Sequence, residues 1–315
     1  MLRTRVLEER LITMYKQGDG FFWIGGPGEE AFNVPLGLLV NKGQGLDHDY
    51  LHMHYRSSGT LLAMGGDPVD SLRQMKNTIT DPYSKGRNFA GHFSVRKWNV
   101  VPVTSPIEIQ FSIAIGTARA QRKGTGAKGI SIVQGGDAGT AEGDFATALV
   151  WASRKGNELP LLMIVTNNRW GISTTYEGQH GYTQIAERGK AFGMPTAVVD
   201  GNDPEASYAA ISRALEYVRT EKKPYLLEAM VSRLRGHSSA SGANLVTNEP
   251  DCLELFEQKL ESRGLMKRPQ MSQLRETYNN ELGDAAKRIR LEPQPEPSSA
   301  FEYIFADKNY VGGES

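Results

Sequence analysis

Two periods alternate along most of this chain. The opening stretch, "MLRTRVLEERLITMYKQG", repeats its apolar positions at helical spacing and breaks them with acids, which predicts an amphipathic helix rather than a cleaved leader. "GGPGEEAFNVPLGLLV" predicts a turn followed by a buried helix. Residues 60–80 predict a helix, a Gly-Gly-Asp-Pro break and a second helix with Asp67 as its N-cap. The stretch "DHDYLHMHYR", with His48, His52 and His54, reads as a polar turn and helix face rather than a metal cluster. Residues 84–100 have no clean period and carry Lys85, Arg87, His92, Arg96 and Lys97, so a loop is expected there.

From residue 106 the pattern sharpens. "IEIQFSIAIGTARAQRKG" predicts a helix with Ala114, Gly116 and Ala118 on a face that approaches a neighbour closely. "GISIVQG" predicts a strand, "GDFATALVWASRKG" a helix, and "LPLLMIVTNN" a strand apolar throughout. "TAVVDGND", "PEASYAAISRALEYVRTE" and "PYLLEAMVSR" repeat the order strand, helix, strand. Strands that alternate with helices and are apolar on both faces predict an α/β fold, a mostly parallel sheet covered on both sides.

After Pro250 come two charged helices, near 251–262 and 271–290, then a stiff connector "EPQPEPSS" at 292–299 and a short tail. Phe301, Tyr303, Ile304 and Phe305 are too apolar for a free tail and are expected to dock on the body or on a partner chain. The division expected is a main domain of 1–249 and a C-terminal unit of 250–315.

Composition narrows the function classes. A chain of 315 residues can bury a sizeable core, and 36 basic residues balance 36 acidic ones, so nothing points to nucleic acid. No window is long and apolar enough to span a membrane. The single cysteine, Cys252, permits no internal disulfide and suits a reducing, cytoplasmic setting.

The chemistry lies in "GGDAGTAEGDFATALVWASRKGNELPLLMIVTNN", residues 135–168. In a β-α-β unit the two parallel strands end on the same edge of the sheet. Asp137, at the end of the first strand, is thereby brought beside Asn168, at the end of the second. A carboxylate and an amide oxygen are hard ligands. They are too few for a protein-only cage but suit Mg²⁺, which keeps water and takes its other ligands from substrate phosphates. The glycines expose backbone N–H groups, and the helix that follows adds a positive dipole end. The deduction is a magnesium-diphosphate site at a switch point of the sheet. Spacing alone leaves open whether the diphosphate belongs to a cofactor or to a nucleotide.

The same segment resembles the thiamine diphosphate motif, Gly-Asp-Gly followed one helix and one strand later by Asn-Asn. With "GPGEEA" (26–31), "HYRSSG" (54–59), "GRNFAGHFS" (86–94), "VTSPIEIQ" (103–110), "VDGND" (199–203) and "LRGHSS" (234–239), it looks like the alpha subunit of the thiamine-dependent decarboxylating component of 2-oxoacid dehydrogenase complexes. The resemblance spans roughly residues 15 to 240. It implies a transketolase-like, three-layer thiamine diphosphate-binding fold with a helical C-terminal extension. It also implies that Asp137, Asn168 and the backbone carbonyl of Trp170 hold Mg²⁺, with Gly136, Ala138 and Gly139 forming the diphosphate turn. Tyr55 and Arg56 match a Tyr-Arg that reaches the diphosphate. His237 matches a cofactor-side histidine on the active-site border, and is the candidate catalytic residue of this chain. Ser105 and Ile107 match residues that touch the aminopyrimidine ring and hold the cofactor bent. Phe22 matches an aromatic near the substrate side chain.

There are departures. The motif's third residue is Ala138, with the glycine displaced to Gly139. An arginine found in some branched-chain members before Asn-Asn is Thr166, and a threonine that would serve a potassium site is Ile109. "SSASGANLVTNEP" lacks the paired acids of regulated relatives, which argues against control by phosphorylation of Ser238. The resemblance further implies a separate beta subunit that supplies a glutamate and a catalytic histidine, an alpha-two beta-two assembly, and a lipoyl domain as acyl acceptor. "GRNFAGHFS" favours branched-chain 2-oxo acids such as 2-oxoisovalerate, with pyruvate or acetoin as the alternative. More distant alternatives are another diphosphate-nucleotide enzyme of the α/β class and a non-catalytic scaffold subunit. No G-x-S-x-G, H-E-x-x-H or paired C-x-x-C is found, so triad hydrolysis and zinc catalysis lack their parts.

Overall fold

A computed structural model describes residues 1–181, 184–246 and 248–302. Five parallel strands form the main sheet: β1 (Tyr50–His52), β2 (Ser131–Gly136), β3 (Leu161–Asn167), β6 (Thr196–Asp200) and β7 (Tyr225–Met230), in the order β1-β2-β3-β7-β6. A two-residue pair, β4 (Trp170–Gly171) and β5 (Thr174–Thr175), forms a separate antiparallel hairpin. The helices are α1 (Leu2–Lys16), α2 (Glu30–Leu39), α3 (Ser58–Ala63), α4 (Pro68–Lys76), α5 (Ile109–Lys123), α6 (Gly143–Ala152), α7 (Glu187–Ala191), α8 (Pro204–Glu221), α9 (Cys252–Ser262) and α10 (Arg268–Ile289).

Strand β3 shows why the sheet is buried on both faces. Leu161, Met163 and Val165 pack with Phe111, Ala114 and Ala118 of α5 and Phe145, Ala148 and Leu149 of α6. The alternate residues Leu162 and Ile164 pack with Phe32 and Leu36 of α2 and Ala210, Ile211, Ala214 and Val218 of α8. Period-two alternation thus divides a wholly apolar strand between two helical layers. A third cluster joins Val6, Leu7 and Leu11 of α1 to Leu72 and Met75 of α4 and Leu282, Ala285 and Ile289 of α10. Asp67 caps α4 by accepting the Val69 N–H at 2.9 Å, a contribution of about 1 kcal/mol.

Several expectations are corrected. Residues 48–54 form no helix face: Tyr50–His52 is the edge strand β1, paired in parallel with β2, and His52 is buried against Thr117 at 2.8 Å. Helix α5 starts at Ile109, because Glu108 takes a left-handed conformation with φ 65°. Gly116 is exposed with open space where a Cβ would stand, while Ala114 and Ala118 pack against the sheet. Four-residue spacing joins 114 to 118 and places 116 on the far side. β1, β2 and β3 follow one another in sequence order and the order reverses only at β6 and β7, so Asp137 and Asn168 end consecutive strands rather than flank a switch point. The second C-terminal helix begins at Arg268 rather than near 271. The connector is pinned to the 73–87 region by Pro293 O with Ile79 N–H (2.9 Å) and Ser299 O with Arg87 Nη2 (2.6 Å), while Phe301 is 82 % exposed, so among the described residues it has no dock on the body of this chain. Tyr303, Ile304 and Phe305 lie outside the described residues.

Candidate functional site

Strand pairing builds the site. Gly136 of β2 lies opposite Thr166 of β3, so the turns that follow, at Asp137 and at Asn167-Asn168, leave the same edge of the sheet side by side. A cavity of about 240 Å³ opens there. All twelve residues proposed from the sequence border it: Phe22, Tyr55, Arg56, Ser105, Ile107, Gly136, Asp137, Ala138, Gly139, Asn168, Trp170 and His237.

The acidic turn is under electrostatic tension. Asp137 is only 1 % exposed, and its Oδ2 has no hydrogen-bond partner. Burial pushes its carboxyl up to about 6, against the pull of the backbone N–H groups around it, that of Asn168 among them. The amide turn is satisfied. Asn168 Oδ1 accepts the Trp170 N–H at 3.1 Å and Asn167 Oδ1 accepts the Arg169 N–H at 3.0 Å. A carbonyl oxygen has a second lone pair, so Asn168 keeps one for a further partner. The displaced glycine has a physical reason too. A Cβ on Gly139 would stand 2.1 Å from Glu108 Oε1, and a Cβ on Gly171 would meet the Ala138 methyl at 2.7 Å. The Glu108 side chain crowds position 139, and the bare Gly171 leaves room for the methyl of Ala138.

The histidine side is built from Tyr55 outward. The Tyr55 hydroxyl lies 3.3 Å from His237 Nε2, and the ring stacks on His92 at 6.4 Å between centroids. His92 Nε2 in turn meets the Ser105 hydroxyl at 3.0 Å. Burial, then the Arg56 and Arg233 charges, push His237 down to about 4, so its imidazole is neutral at neutral pH. His54 is lowered well below its ordinary value by burial and by Arg56. Arg56 lines the cavity with its guanidinium engaged by backbone. Its Nη1 donates to Gly25 O and its Nη2 to His237 O at 3.3 Å, so the guanidinium braces two loops. Thr166, where an arginine stands in some relatives, is buried and donates to Gly135 O at 3.3 Å. Phe22 meets Phe89 edge to face at 4.9 Å, giving the cavity an aromatic wall.

Among the residues that border this cavity and were not proposed from the sequence are His54, Phe89, His92 and Glu108. His54, Phe89 and His92 sit inside blocks already singled out, "HYRSSG" and "GRNFAGHFS". Glu108 carried a plainer signal, an acid in the middle of the apolar run "PIEIQF".

The family described as dehydrogenase E1 component matches residues 1–298. The chain belongs to that family. Among curated relatives, the 2-oxoisovalerate dehydrogenase subunit alpha of Bacillus subtilis (strain 168) is 29% identical over 321 residues, covering 97% of this chain and 93% of its own. The mitochondrial 2-oxoisovalerate dehydrogenase subunit alpha of Dictyostelium discoideum is 32% identical over 245 residues, covering 78% of this chain and 54% of its own. The pyruvate dehydrogenase E1 component subunit alpha of Rhizobium meliloti (strain 1021) is 28% identical over 321 residues, covering 96% and 87%. The chain thus spans nearly all of the bacterial relatives and about half of the slime-mould one. E1 dehydrogenases depend on thiamine diphosphate, and their alpha subunits partner a beta subunit and a lipoyl-bearing component.

Proposed function

We propose that this chain is the alpha subunit of an E1 component that decarboxylates a 2-oxo acid with thiamine diphosphate and passes the acyl group to a lipoyl domain. Branched-chain 2-oxo acids such as 2-oxoisovalerate are the favoured substrates, and the cytoplasm the favoured setting. The observation that carries this reading is the unpartnered, buried Asp137 Oδ2 at a strand end beside the Asn168 amide. A buried oxygen without a donor is what a hard cation needs, and Asp137, Asn168 and the Trp170 carbonyl would hold Mg²⁺. The chemistry supplied by thiamine diphosphate when bound is an electron sink for the carbanion left as CO₂ departs.

This chain's own residues bind and orient. The 136–139 turn borders the space a diphosphate would take, and Ile107 and Ser105 border the space the rings would take. The neutral His237, fixed by Tyr55 and by Arg56 on its carbonyl, can accept or give a hydrogen bond without adding charge. Phe22, Phe89, Ile24 and Ile172 border the cavity and keep it apolar, which suits a branched hydrocarbon side chain. The beta subunit would supply the remaining catalytic groups of an alpha-two beta-two assembly.

Calorimetric titration of the chain with its beta subunit tests this. Thiamine diphosphate with Mg²⁺ binds and NAD does not. Asp137→Ala lowers cofactor affinity and CO₂ release by at least about 100-fold with the fold retained. Unchanged activity in Asp137→Ala would indicate a scaffold instead. The Rhizobium relative gives pyruvate a second place, and comparison of kcat/KM for pyruvate and 2-oxoisovalerate decides between them.

A further inference from the structure

One buried carboxyl that borders the cavity has no part in the function proposed above. Glu108 is only 1 % exposed, in a left-handed backbone conformation just before α5. Its carboxyl is wedged against Gly135 and Gly139, each two positions from Asp137. A Cβ on Gly135 would stand 2.3 Å from Oε2, and a Cβ on Gly139 would stand 2.1 Å from Oε1. The Gly136 N–H faces this carboxyl, yet Oε2 has no partner. The charges acting on it are other acids, with Asp137 first and Asp144 and Glu142 after it.

A simple prop for the turn does not explain this. A prop gains nothing from a buried oxygen that no donor reaches, since such an atom costs about 1–3 kcal/mol. Glu108 and Asp137 both border the cavity and each carries an orphaned oxygen, Oε2 and Oδ2, and one positive ion would answer both. A hard divalent cation matches oxygen donors of this kind.

We propose that Glu108 is a second carboxylate of the divalent-cation site, reaching the ion held by Asp137 and Asn168 directly or through one coordinated water. The inference rests on the cation site proposed above and adds a donor to it. With two carboxylates and an amide oxygen, the chain holds the cation before any diphosphate arrives. Cofactor binding then follows cation binding.

The test uses the full-length chain without thiamine diphosphate, titrated with Mn²⁺ and followed by electron paramagnetic resonance, with thermal unfolding in the presence and absence of Mg²⁺ as a second readout. The wild type binds Mn²⁺ and gains melting temperature from Mg²⁺. Glu108→Gln, which keeps the shape, weakens Mn²⁺ binding by at least about tenfold and shrinks the Mg²⁺-induced gain. Asp137→Asn removes both. Wild-type Mn²⁺ affinity in Glu108→Gln together with loss in Asp137→Asn would overturn the role of Glu108 and leave the cation site standing. Absence of Mn²⁺ binding in the wild type would also overturn it, and repeating the titration with thiamine diphosphate present shows whether the cation site fails as well. If Glu108→Gln does not fold, Glu108→Asp shortens the arm while keeping the charge. The same tenfold loss is then expected, and unchanged affinity refutes the proposal.

Discussion

Two buried glutamates stand behind the two turns of the site, and the fold treats them differently. Glu228, on β7, supports the amide turn: its Oε1 accepts the Asn167 side-chain amide at 2.7 Å and its Oε2 accepts the Ala186 N–H at 2.8 Å. Glu108 stands behind the acidic turn with Oε2 unpaired and acids for neighbours. Both side chains are removed from solvent, so burial alone does not distinguish them. Partner accounting does. A buried carboxylate with every oxygen answered is architecture, and one left unanswered beside a cavity is reserved for something that arrives later.

The largest effect that would sharpen this contrast comes from Glu228→Ala. It strands the Asn167 amide and the Ala186 N–H inside the protein, and is expected to lower unfolding stability by about 3 kcal/mol in urea titration. Cation affinity measured on the surviving folded fraction should change little. Next is Gly139→Ala, whose new methyl meets the Glu108 carboxyl. A loss of about 2 kcal/mol is expected, and Glu108→Ala in the same chain should recover most of it in a double-mutant cycle. Additive losses would separate the two residues.

A third test is a pH slope. Burial raises the Glu108 carboxyl from 4.5 to about 8, so the folded chain keeps a proton that the unfolded chain gives up. Folding stability without metal therefore falls as pH rises from about 4.5 toward 8. Glu29, raised by burial to about 7, and Asp137, raised to about 6, act in the same direction. Glu108→Gln should flatten the slope without abolishing it, read as the change in urea midpoint between about pH 5 and pH 8. A wild-type slope in Glu108→Gln would mean that Glu108 ionises alike in both states.

The sequence revealed the helical layers and four of the five main strands because their periods persist over several residues. Strand β1 escaped because three residues cannot establish a period, and its histidine resembled a turn residue. Asp137 and Asn168 were legible as the last words of two strands, and pairing brings their turns together. Gly116 misled because being small says nothing about which side of a helix a residue occupies. Phe301 stands exposed, since apolar character gives a motive for docking without naming the surface. The cross-chain features stayed hidden: the Arg56 brace and the Tyr55–His237 contact join residues that no local pattern relates.

That brace has a consequence for how the protein comes into being. Arg56 joins Gly25 to His237, Trp23 exchanges hydrogen bonds with Ser239, and Arg5 pairs with Asp251. The loop at residues 23–25 thus waits for the segment at 237–239 before these contacts can form. Strands β1, β2 and β3 can pair before β7 is made, but the pocket closes only once the segment after β7 has followed. A nascent chain arrested before residue 237 should therefore hold β2 and β3 and bind no cofactor.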